Sequence, residues 1–319
     1  MNTIFMFPGQ GAQQVGMGRD LAGQNPQIAD LYRRANQIVG YDLASVCFEG
    51  PEETLNTTEI SQPAIFVTSA ACLAALRGGQ LAPELSGLQP DACAGLSLGE
   101  YTALYAAGVV DFEQALTLVQ LRGRSMQEAA NQSQGSMVSI LGLEEPALNQ
   151  LCQAVLDKKP REENGQNPLL VPVNYNCPGQ IVVSGTLAAC RMLAEMAESF
   201  GASKAIPLKV AGAFHTSMMD PAAEKLSQAL HNCRFSSFSC PVMANVDAKW
   251  YEGVDSITPK LLAQLVSPVR WQQCVEFLLN QGAQRFVEIG PGRVLTGLVK
   301  KISRVQKKTI ELITVNGMS

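Results

Sequence analysis

The serine in the stretch GLSLGEY, Ser97, is the best candidate nucleophile of the chain. It follows a short apolar run, residues 92–96, and precedes a helix-compatible stretch, so the motif G-x-S-x-G lies at a strand-to-helix junction. The glycines permit a tight turn, and a helix N-terminus adds positive potential where negative charge would develop. The pattern favours a nucleophile elbow over a purely structural turn.

A nucleophilic serine needs a general base, and the chain has two histidines. His231 lies late in an amphipathic helical pattern, where a surface position near the helix C-terminus is the simplest interpretation. His215 lies in KVAGAFHTSMMDP, after a predicted strand and before a predicted helix, where loops often carry function. The sequence favours a Ser97–His215 pair, with Asp220, Asp247 or a carbonyl group left open as the third member.

Arg122 is a basic residue within an apolar helical stripe, ALTLVQLRGRSMQEAA. It either extends to the surface, as long basic side chains commonly do, or points into the pocket and binds a substrate carboxylate with two hydrogen bonds. Arg124, two residues further on, should point elsewhere.

The N-terminal loop FPGQGAQQVGMG is rich in glycine but matches neither common phosphate-binding loop. Gln14 stands where a dinucleotide fingerprint needs its third glycine, and Met17 and Gly18 stand where a P-loop needs Lys and Ser or Thr. The residues alone indicate a flexible turn after a strand, with Gln10 between two glycines.

Composition bounds the class of protein. A chain of 319 residues that is 46% hydrophobic and 16% charged is globular with a sizeable core. The net charge of -4 argues against nucleic-acid binding. Basic residues gather near the C-terminus, which predicts a solvated helix face that an acidic partner could use: Arg293, Lys300, Lys301, Arg304, Lys307 and Lys308.

Cysteine usage and hydropathy predict a cytoplasmic protein. The nine cysteines form no C-x-x-C pair, which argues against a disulfide framework and a zinc or other metal site and suits a reducing compartment. The N-terminus does not resemble a signal peptide, and the apolar runs are too short for a membrane span. No oligomerisation element is evident, so a monomer is expected.

Alternating strands and helices predict an α/β fold with a mostly parallel sheet. Its strands are expected at residues 3–7, 92–96, 285–289 and 309–315, and its helices at residues 28–39, 61–77, 98–107, 112–130, 220–231 and 270–281. This core should comprise residues 1–132 and 206–319.

The middle of the chain follows another pattern. Strands are predicted at residues 136–141, 169–175, 180–184 and 203–209, with helices at residues 145–156 and 186–200. The order β-α-β-β-α-β predicts a ferredoxin-like small subdomain, residues 133–205, inserted into the core. The polar run 157–168 should be a surface loop.

Seven ordered motifs span nearly the whole chain. They are FPGQGAQ at 7–13, GLSLGEY at 95–101, LRGRSMQEA at 121–129, NYNCPGQIVVSG at 174–185, GAFHTSMM at 212–219, QLVSPVRW at 264–271 and EIGPGRVLTGL at 288–298. With them the sequence resembles the malonyl-CoA:acyl carrier protein transacylases. The resemblance implies a hydrolase-like core, malonyl-CoA as donor, acyl carrier protein with its phosphopantetheine thiol as acceptor, and no cofactor.

The resemblance also implies roles for matching residues. Ser97 would be the acylated nucleophile and His215 its base. The backbone N–H groups of Gln10 and Leu98 would form the oxyanion hole. Arg122 would bind the malonyl carboxylate.

Two further residues gain roles from the resemblance. Gln264 would orient His215 through its carbonyl group, and Phe214 would limit the size of the acyl group. Leu96 is a departure, because many relatives have His immediately before the serine. A polar group beside the site is therefore missing from this chain.

Three alternatives remain open at this level. The enzyme could serve fatty acid synthesis or act in trans for a polyketide synthase. An elbow with a histidine is also compatible with a serine thioesterase or other acyl hydrolase. A carrier-protein docking module without catalysis is disfavoured because Ser97 and His215 are both present.

Overall fold

The computed structural model describes residues 2–81 and 83–317. Within these ranges the strands form two four-stranded sheets and one two-stranded sheet. In chain order they are β1 Thr3–Phe7, β2 Ala92–Gly95, β3 Gly135–Leu141, β4 Leu170–Cys177, β5 Gln180–Thr186, β6 Lys204–Pro207, β7 Met243–Ala244, β8 Lys249–Trp250, β9 Arg285–Ile289 and β10 Glu311–Val315.

The α-helices lie between these strands and cover the sheets. In chain order they are α1 Arg19–Gln24, α2 Pro26–Val39, α3 Leu43–Glu49, α4 Glu52–Leu55, α5 Thr58–Arg77, α6 Leu98–Ala106, α7 Phe112–Ser133, α8 Glu145–Asp157, α9 Leu187–Met196, α10 Asp220–Asn232, α11 Ile257–Val266, α12 Trp271–Asn280 and α13 Val294–Val305.

The first sheet is parallel throughout and has the order β10-β9-β1-β2. Its members are the four strands predicted for the core. Along β1, Phe5 and Phe7 join one hydrophobic cluster while Ile4 and Met6 join another on the opposite face. Burial of both faces explains why these strands read as continuous apolar runs rather than alternating ones.

The second sheet is antiparallel, with the order β4-β5-β3-β6. Together with α8 and α9 it has the predicted element order β-α-β-β-α-β. It packs its own hydrophobic cluster, in which Ile140 and Val183 from the sheet meet Leu151 and Leu193 from the helices. A hydrogen bond connects this antiparallel sheet to the segment between α11 and α12: Val269 N–H donates to Val173 O of β4 at 2.7 Å.

Several predicted bounds were wrong. Strand 203–209 is confined to Lys204–Pro207, and helix 186–200 ends as an α-helix at Met196 and continues as a 3-10 turn. Helix α11, Ile257–Val266, was not predicted. Its third residue is Pro259, which suggests a turn but is tolerated in a first helical turn because the N–H groups there have no intrahelical partner.

Helix α5 begins at Thr58, earlier than predicted, and contains Pro63. Among residues 2–81 and 83–317 it is the one helix that is long and apolar enough to cross a membrane, so the expectation that every apolar run is too short for a span does not hold for this helix. Its apolar window is 83% buried within the protein. Such burial is typical of a core helix, so its composition is weak evidence for a membrane span.

Candidate active site

The turn between β2 and α6 places Ser97 at a sharp bend with φ 52° and ψ -100°. Both flanking glycines are required sterically. A Cβ at Gly95 would lie 2.0 Å from the carbonyl carbon of Gly99, and a Cβ at Gly99 would lie 2.1 Å from the carbonyl oxygen of Phe7. The local sequence G-x-S-x-G therefore folds into a strained turn that presents the serine hydroxyl.

His215 faces this hydroxyl: Ser97 Oγ lies 2.9 Å from His215 Nε2. On the other side of the ring, Nδ1 lies 2.8 Å from the main-chain oxygen of Gln264. Because a carbonyl oxygen only accepts, Nδ1 carries the proton and Nε2 is free to accept one from the serine. The partner of Nδ1 is therefore the main-chain oxygen of Gln264, and Asp247 instead pairs with Lys260 at 3.1 Å.

The imidazole is neutral near physiological pH. Its side chain is 4% exposed. Burial, and to a lesser extent the positive charge of Arg122, lower the pKa of His215 to about 4, against a hydrogen bond to Gln264 that raises it. A neutral ring that lacks a proton on Nε2 has the protonation state a general base requires.

Arg122 is buried, with 1% of its surface exposed, so the surface alternative is wrong. Its Nη2 donates to Ser97 Oγ at 2.9 Å and to Gln264 Oε1 at 3.1 Å, and its Nη1 donates to Gln62 Oε1 at 2.7 Å. The guanidinium also lies 5.4 Å from the ring centroid of Tyr101. Burial lowers its pKa, yet an arginine stays protonated in proteins. A positive charge therefore stands beside the nucleophile.

The glycine-rich loop passes directly over the elbow. A Cβ at Gly9 would lie 2.4 Å from the carbonyl oxygen of Leu96, so this approach requires glycine. Gln10 lines the same cavity as Ser97. Leu98 is the first residue of α6, and its N–H therefore has no intrahelical partner.

A cavity of about 330 Å³ lies between the two sheets and is lined by Gln10, Ser97, Arg122 and His215. Phe214, 4% exposed, contributes to one wall. The antiparallel sheet supplies Asn174 and Asn176, and α13 supplies Val294. All seven residues singled out from the sequence thus lie at this cavity or one contact from it: Gln10, Ser97, Leu98, Arg122, Phe214, His215 and Gln264.

Sequence reasoning missed two buried polar residues behind the elbow. Asn245 Oδ1 accepts from Ser97 N at 2.6 Å, and its Nδ2 donates to Gly95 O at 2.8 Å, so this side chain holds both ends of the turn. Glu100 accepts hydrogen bonds from the main chain of Asn245 and from Gln264. A charged residue within the otherwise apolar helix LGEYTALYA indicates that Glu100 is a buried polar group with specific partners. The sequence around Asn245 has no comparable pattern.

Comparison with known proteins gives a consistent family. Residues 4–317 match the acyl transferase domain family. The malonyl CoA-acyl carrier protein transacylase of Bacillus subtilis is 44% identical over 306 residues, which are 96% of this chain and 92% of that protein. The transacylase of the same name from Escherichia coli K12 is 39% identical over 298 residues, 93% of this chain and 92% of that protein.

Solved structures agree with this result. A malonyl-transacylase solved in complex with a type II PKS acyl-carrier protein has a TM-score of 0.88 and 40% identity, covering 99% of this chain and 96% of that one. An acyl carrier protein S-malonyltransferase from Vibrio cholerae has a TM-score of 0.87 and 40% identity, covering 99% of this chain and 97% of that one.

Proposed function

Because the chain belongs to the malonyl CoA-acyl carrier protein transacylase family, we propose that it transfers a malonyl group from malonyl-CoA to the phosphopantetheine thiol of an acyl carrier protein. The observation that carries this proposal is the double contact of Ser97 Oγ, with a base, His215, on one side and a cation, Arg122, on the other. A serine so placed can be activated and can receive an acyl group that bears a carboxylate.

The reaction proceeds in two half-reactions through a malonyl–serine ester. His215 Nε2 takes the proton of Ser97 as Oγ attacks the thioester carbonyl, and the same proton leaves with the CoA thiol as the tetrahedral intermediate collapses. His215 then removes the proton of the carrier's thiol, which attacks the ester. Collapse of the second intermediate releases the malonyl thioester and returns the proton to Ser97.

The oxyanion hole in this proposal comprises the backbone N–H groups of Gln10 and Leu98. The close passage of the loop at Gly9 and the start of α6 at Leu98 support it, because both bring main-chain donors toward the serine. Donors fixed in a buried site need no reorganisation as charge develops on the carbonyl oxygen.

Arg122 binds the malonyl carboxylate, and Phe214 excludes acyl groups with a branch beside the thioester. The burial of both side chains around one cavity supports these roles. Gln264 keeps His215 in the required tautomer through its main-chain oxygen, and its side chain contacts Arg122. The machinery uses protein groups and substrate alone, and we propose that no metal or other cofactor is needed.

The finer description of the molecule is part of the same proposal. The core of residues 1–132 and 206–319 is hydrolase-like, supported by the elbow at the end of a parallel strand. Residues 133–205 form a ferredoxin-like subdomain, supported by the order β4-β5-β3-β6, although its last strand, β6, continues two residues beyond this range to Pro207. The enzyme is a cytoplasmic monomer, and the presence of nine free cysteines is consistent with a reducing compartment.

Fatty acid synthesis is the pathway we propose. Service to a polyketide synthase is the second candidate, favoured by the similarity to the transacylase bound to a type II PKS carrier protein. Rates of transfer to holo carrier proteins of the two pathways distinguish these candidates. The proposed pathway predicts the higher kcat/KM for the fatty acid carrier.

The test of the activity is incubation with malonyl-CoA, with and without holo acyl carrier protein, followed by intact-protein mass spectrometry. We expect one malonyl adduct that moves to the carrier, and no adduct in Ser97→Ala. The exposed serine variant Ser199→Ala is the matched control and should behave as the wild type. Release of free malonate at the same rate without carrier would show an acyl hydrolase, and the absence of any adduct would show a docking module.

A further inference from the structure

Glu100 is a fully buried carboxylate in the first turn of α6. Its Oε2 accepts from Gln264 Nε2 at 2.7 Å and from Asn245 N at 3.0 Å, and its Oε1 accepts from the hydroxyl of Tyr251. Gln264 then turns its other amide atom, Oε1, toward Arg122 Nη2 at 3.1 Å. One side-chain amide therefore connects the buried anion to the buried cation of the site.

We infer that Glu100 tunes malonyl selectivity as a buried counter-charge that competes with the substrate carboxylate for Arg122. The inference rests on the proposed malonyl transfer and assigns a residue that the mechanism above does not use. Glu100 does not line the cavity, and the partners of Ser97 Oγ are His215 and Arg122, so Glu100 is a positioning residue that acts through Gln264 and Arg122.

The physical basis is that Arg122 neutralises two anions when a malonyl group is bound. The negative charge of an ionised Glu100 partly offsets the positive charge of the Arg122 guanidinium. It also repels the malonyl carboxylate. Both side chains are buried, 0% and 1% exposed, so water screens this interaction poorly. An acetyl group carries no charge and does not respond. The ratio of malonyl to acetyl transfer therefore isolates the effect of Glu100.

Glu100 changes charge in an accessible pH range. Burial raises the pKa of Glu100 to about 7, against hydrogen bonds from Tyr251, Gln264 and Asn245 and the charge of Arg122, which lower it. The other titratable groups that face it keep their charge state near neutrality. Burial holds the pKa of His215 low, at about 4, and raises the pKa of the remaining ones: Tyr101, Tyr251 and Cys274.

The sign of the pH dependence follows directly. Below the pKa of about 7, Glu100 is neutral, so the malonyl carboxylate is the one anion that interacts with the charge of Arg122. Above that pKa, Glu100 is ionised and weakens malonyl binding. The phosphates of CoA and the protonation of His215 affect both substrates alike, so they cancel in the ratio.

The experiment measures kcat/KM for malonyl-CoA and acetyl-CoA from about pH 6 to about pH 8, a range that brackets the pKa of Glu100. We expect the malonyl-to-acetyl ratio of the wild type to be about threefold to tenfold higher at the acidic end, typical of coupling within one hydrogen-bond network. Glu100→Gln should keep the high ratio at every pH, because its side chain is neutral and nearly isosteric.

Two further variants sharpen the test. Tyr251→Phe removes a hydrogen bond that lowers the pKa of Glu100, so the transition in the ratio should move to higher pH. Glu128→Gln is the matched control, because Glu128 is a carboxylate on the same helix as Arg122 that pairs with Lys225 on the surface. Its profile should be that of the wild type.

A wild-type ratio that is flat or falls toward acidic pH overturns the inference, as does a Glu100→Gln enzyme that keeps the wild-type profile. The wild-type and Tyr251→Phe profiles test the idea even where Glu100→Gln does not accumulate as folded protein. A wild type that takes no malonyl group at any pH refutes the proposed function itself, which is a separate result.

Discussion

At the scale of residues, the site concentrates backbone strain on two residues whose side chains lie within hydrogen-bond distance of each other. Ser97 and His215 are both non-glycine residues with positive φ, 52° and 62°. Residues in this region cost about 1–3 kcal/mol each and persist where the surrounding structure holds them. Here Asn245 holds Ser97 and the carbonyl of Gln264 holds His215. The strain is therefore compensated by specific polar contacts from Asn245 and Gln264.

Replacement of Arg122 by Ala tests the charge at the site. We expect the preference for malonyl over acetyl transfer to fall by about tenfold to a hundredfold, the loss of a charge-assisted hydrogen-bonded pair of ~1.5–3 kcal/mol. The measurement is kcat/KM for both acyl-CoA donors. Arg124→Ala is the matched control, because Arg124 lies two residues away and pairs with Glu128 on the surface. An unchanged preference in Arg122→Ala would refute its role.

Replacement of Phe214 by Ala tests the size of the acyl pocket. The smaller side chain should admit the α-methyl branch and improve methylmalonyl relative to malonyl transfer by about tenfold, within the 1–3 kcal/mol typical of relieved overpacking. A competition assay with both donors measures the ratio. Phe235→Ala is the control, because Phe235 lines a separate cavity. A wild type that already prefers methylmalonyl contradicts the prediction.

At the scale of elements, the site depends on how closely strands and helices approach. The elbow requires β1, β2 and the start of α6 to touch through Gly95 and Gly99. Helix α7 approaches α5 at Gly123, where a Cβ would lie 2.9 Å from the carbonyl oxygen of Thr58. This approach brings Gln62 of α5 into contact with Arg122 of α7. Small residues thus set the distances between the elements that carry the polar side chains.

Gly95→Ala tests the elbow. The added Cβ collides with main-chain atoms at 2.0 Å, which cannot move aside as a flexible side chain would. We expect the free energy of unfolding to fall by about 1–3 kcal/mol or more. The extent of malonylation of Ser97 should fall as well. Denaturant unfolding measures the first and mass spectrometry the second. Gly23→Ala, where the Cβ meets nothing within 4 Å, should not destabilise the protein. Equal stability of the two variants would count against the steric argument.

At the scale of the whole molecule, the cavity lies between the parallel and the antiparallel sheet, and its rim includes an exposed cation, Lys209. A carrier protein must deliver its phosphopantetheine arm across this rim. Carrier proteins of this type are expected to be acidic, so a positive charge at the mouth favours encounter and orientation.

Lys209→Glu tests this arrangement. Transfer from malonyl-enzyme to the carrier should slow by about threefold to tenfold at low salt, and the difference should shrink as salt screens the charge. Single-turnover transfer from pre-malonylated enzyme isolates this step. Lys158→Glu is the matched control, because Lys158 follows α8 and does not line the cavity. Transfer that is independent of the charge at position 209 would place the carrier elsewhere.

Local sequence was enough to locate the four core strands along the chain, the tight turn at Ser97 and the histidine that faces it, His215. Each of these depends on short-range information: an apolar run, a glycine spacing, or the choice between two histidines. The exact ends of the helices and strands could not be predicted, because packing decides where each element stops. Helix α11 was not predicted because Pro259 resembles a turn signal, and packing decides whether a helix continues past it.

Tertiary structure alone decided the choices that the residues left open. It buried Arg122 rather than exposing it, selected the carbonyl of Gln264 over an aspartate as partner of His215, and brought Asn245 and Glu100 behind the elbow. These contacts join residues 49 to 150 positions apart in sequence. No local pattern encodes such contacts, because whether a polar group is buried and what it then meets depends on how the whole chain packs.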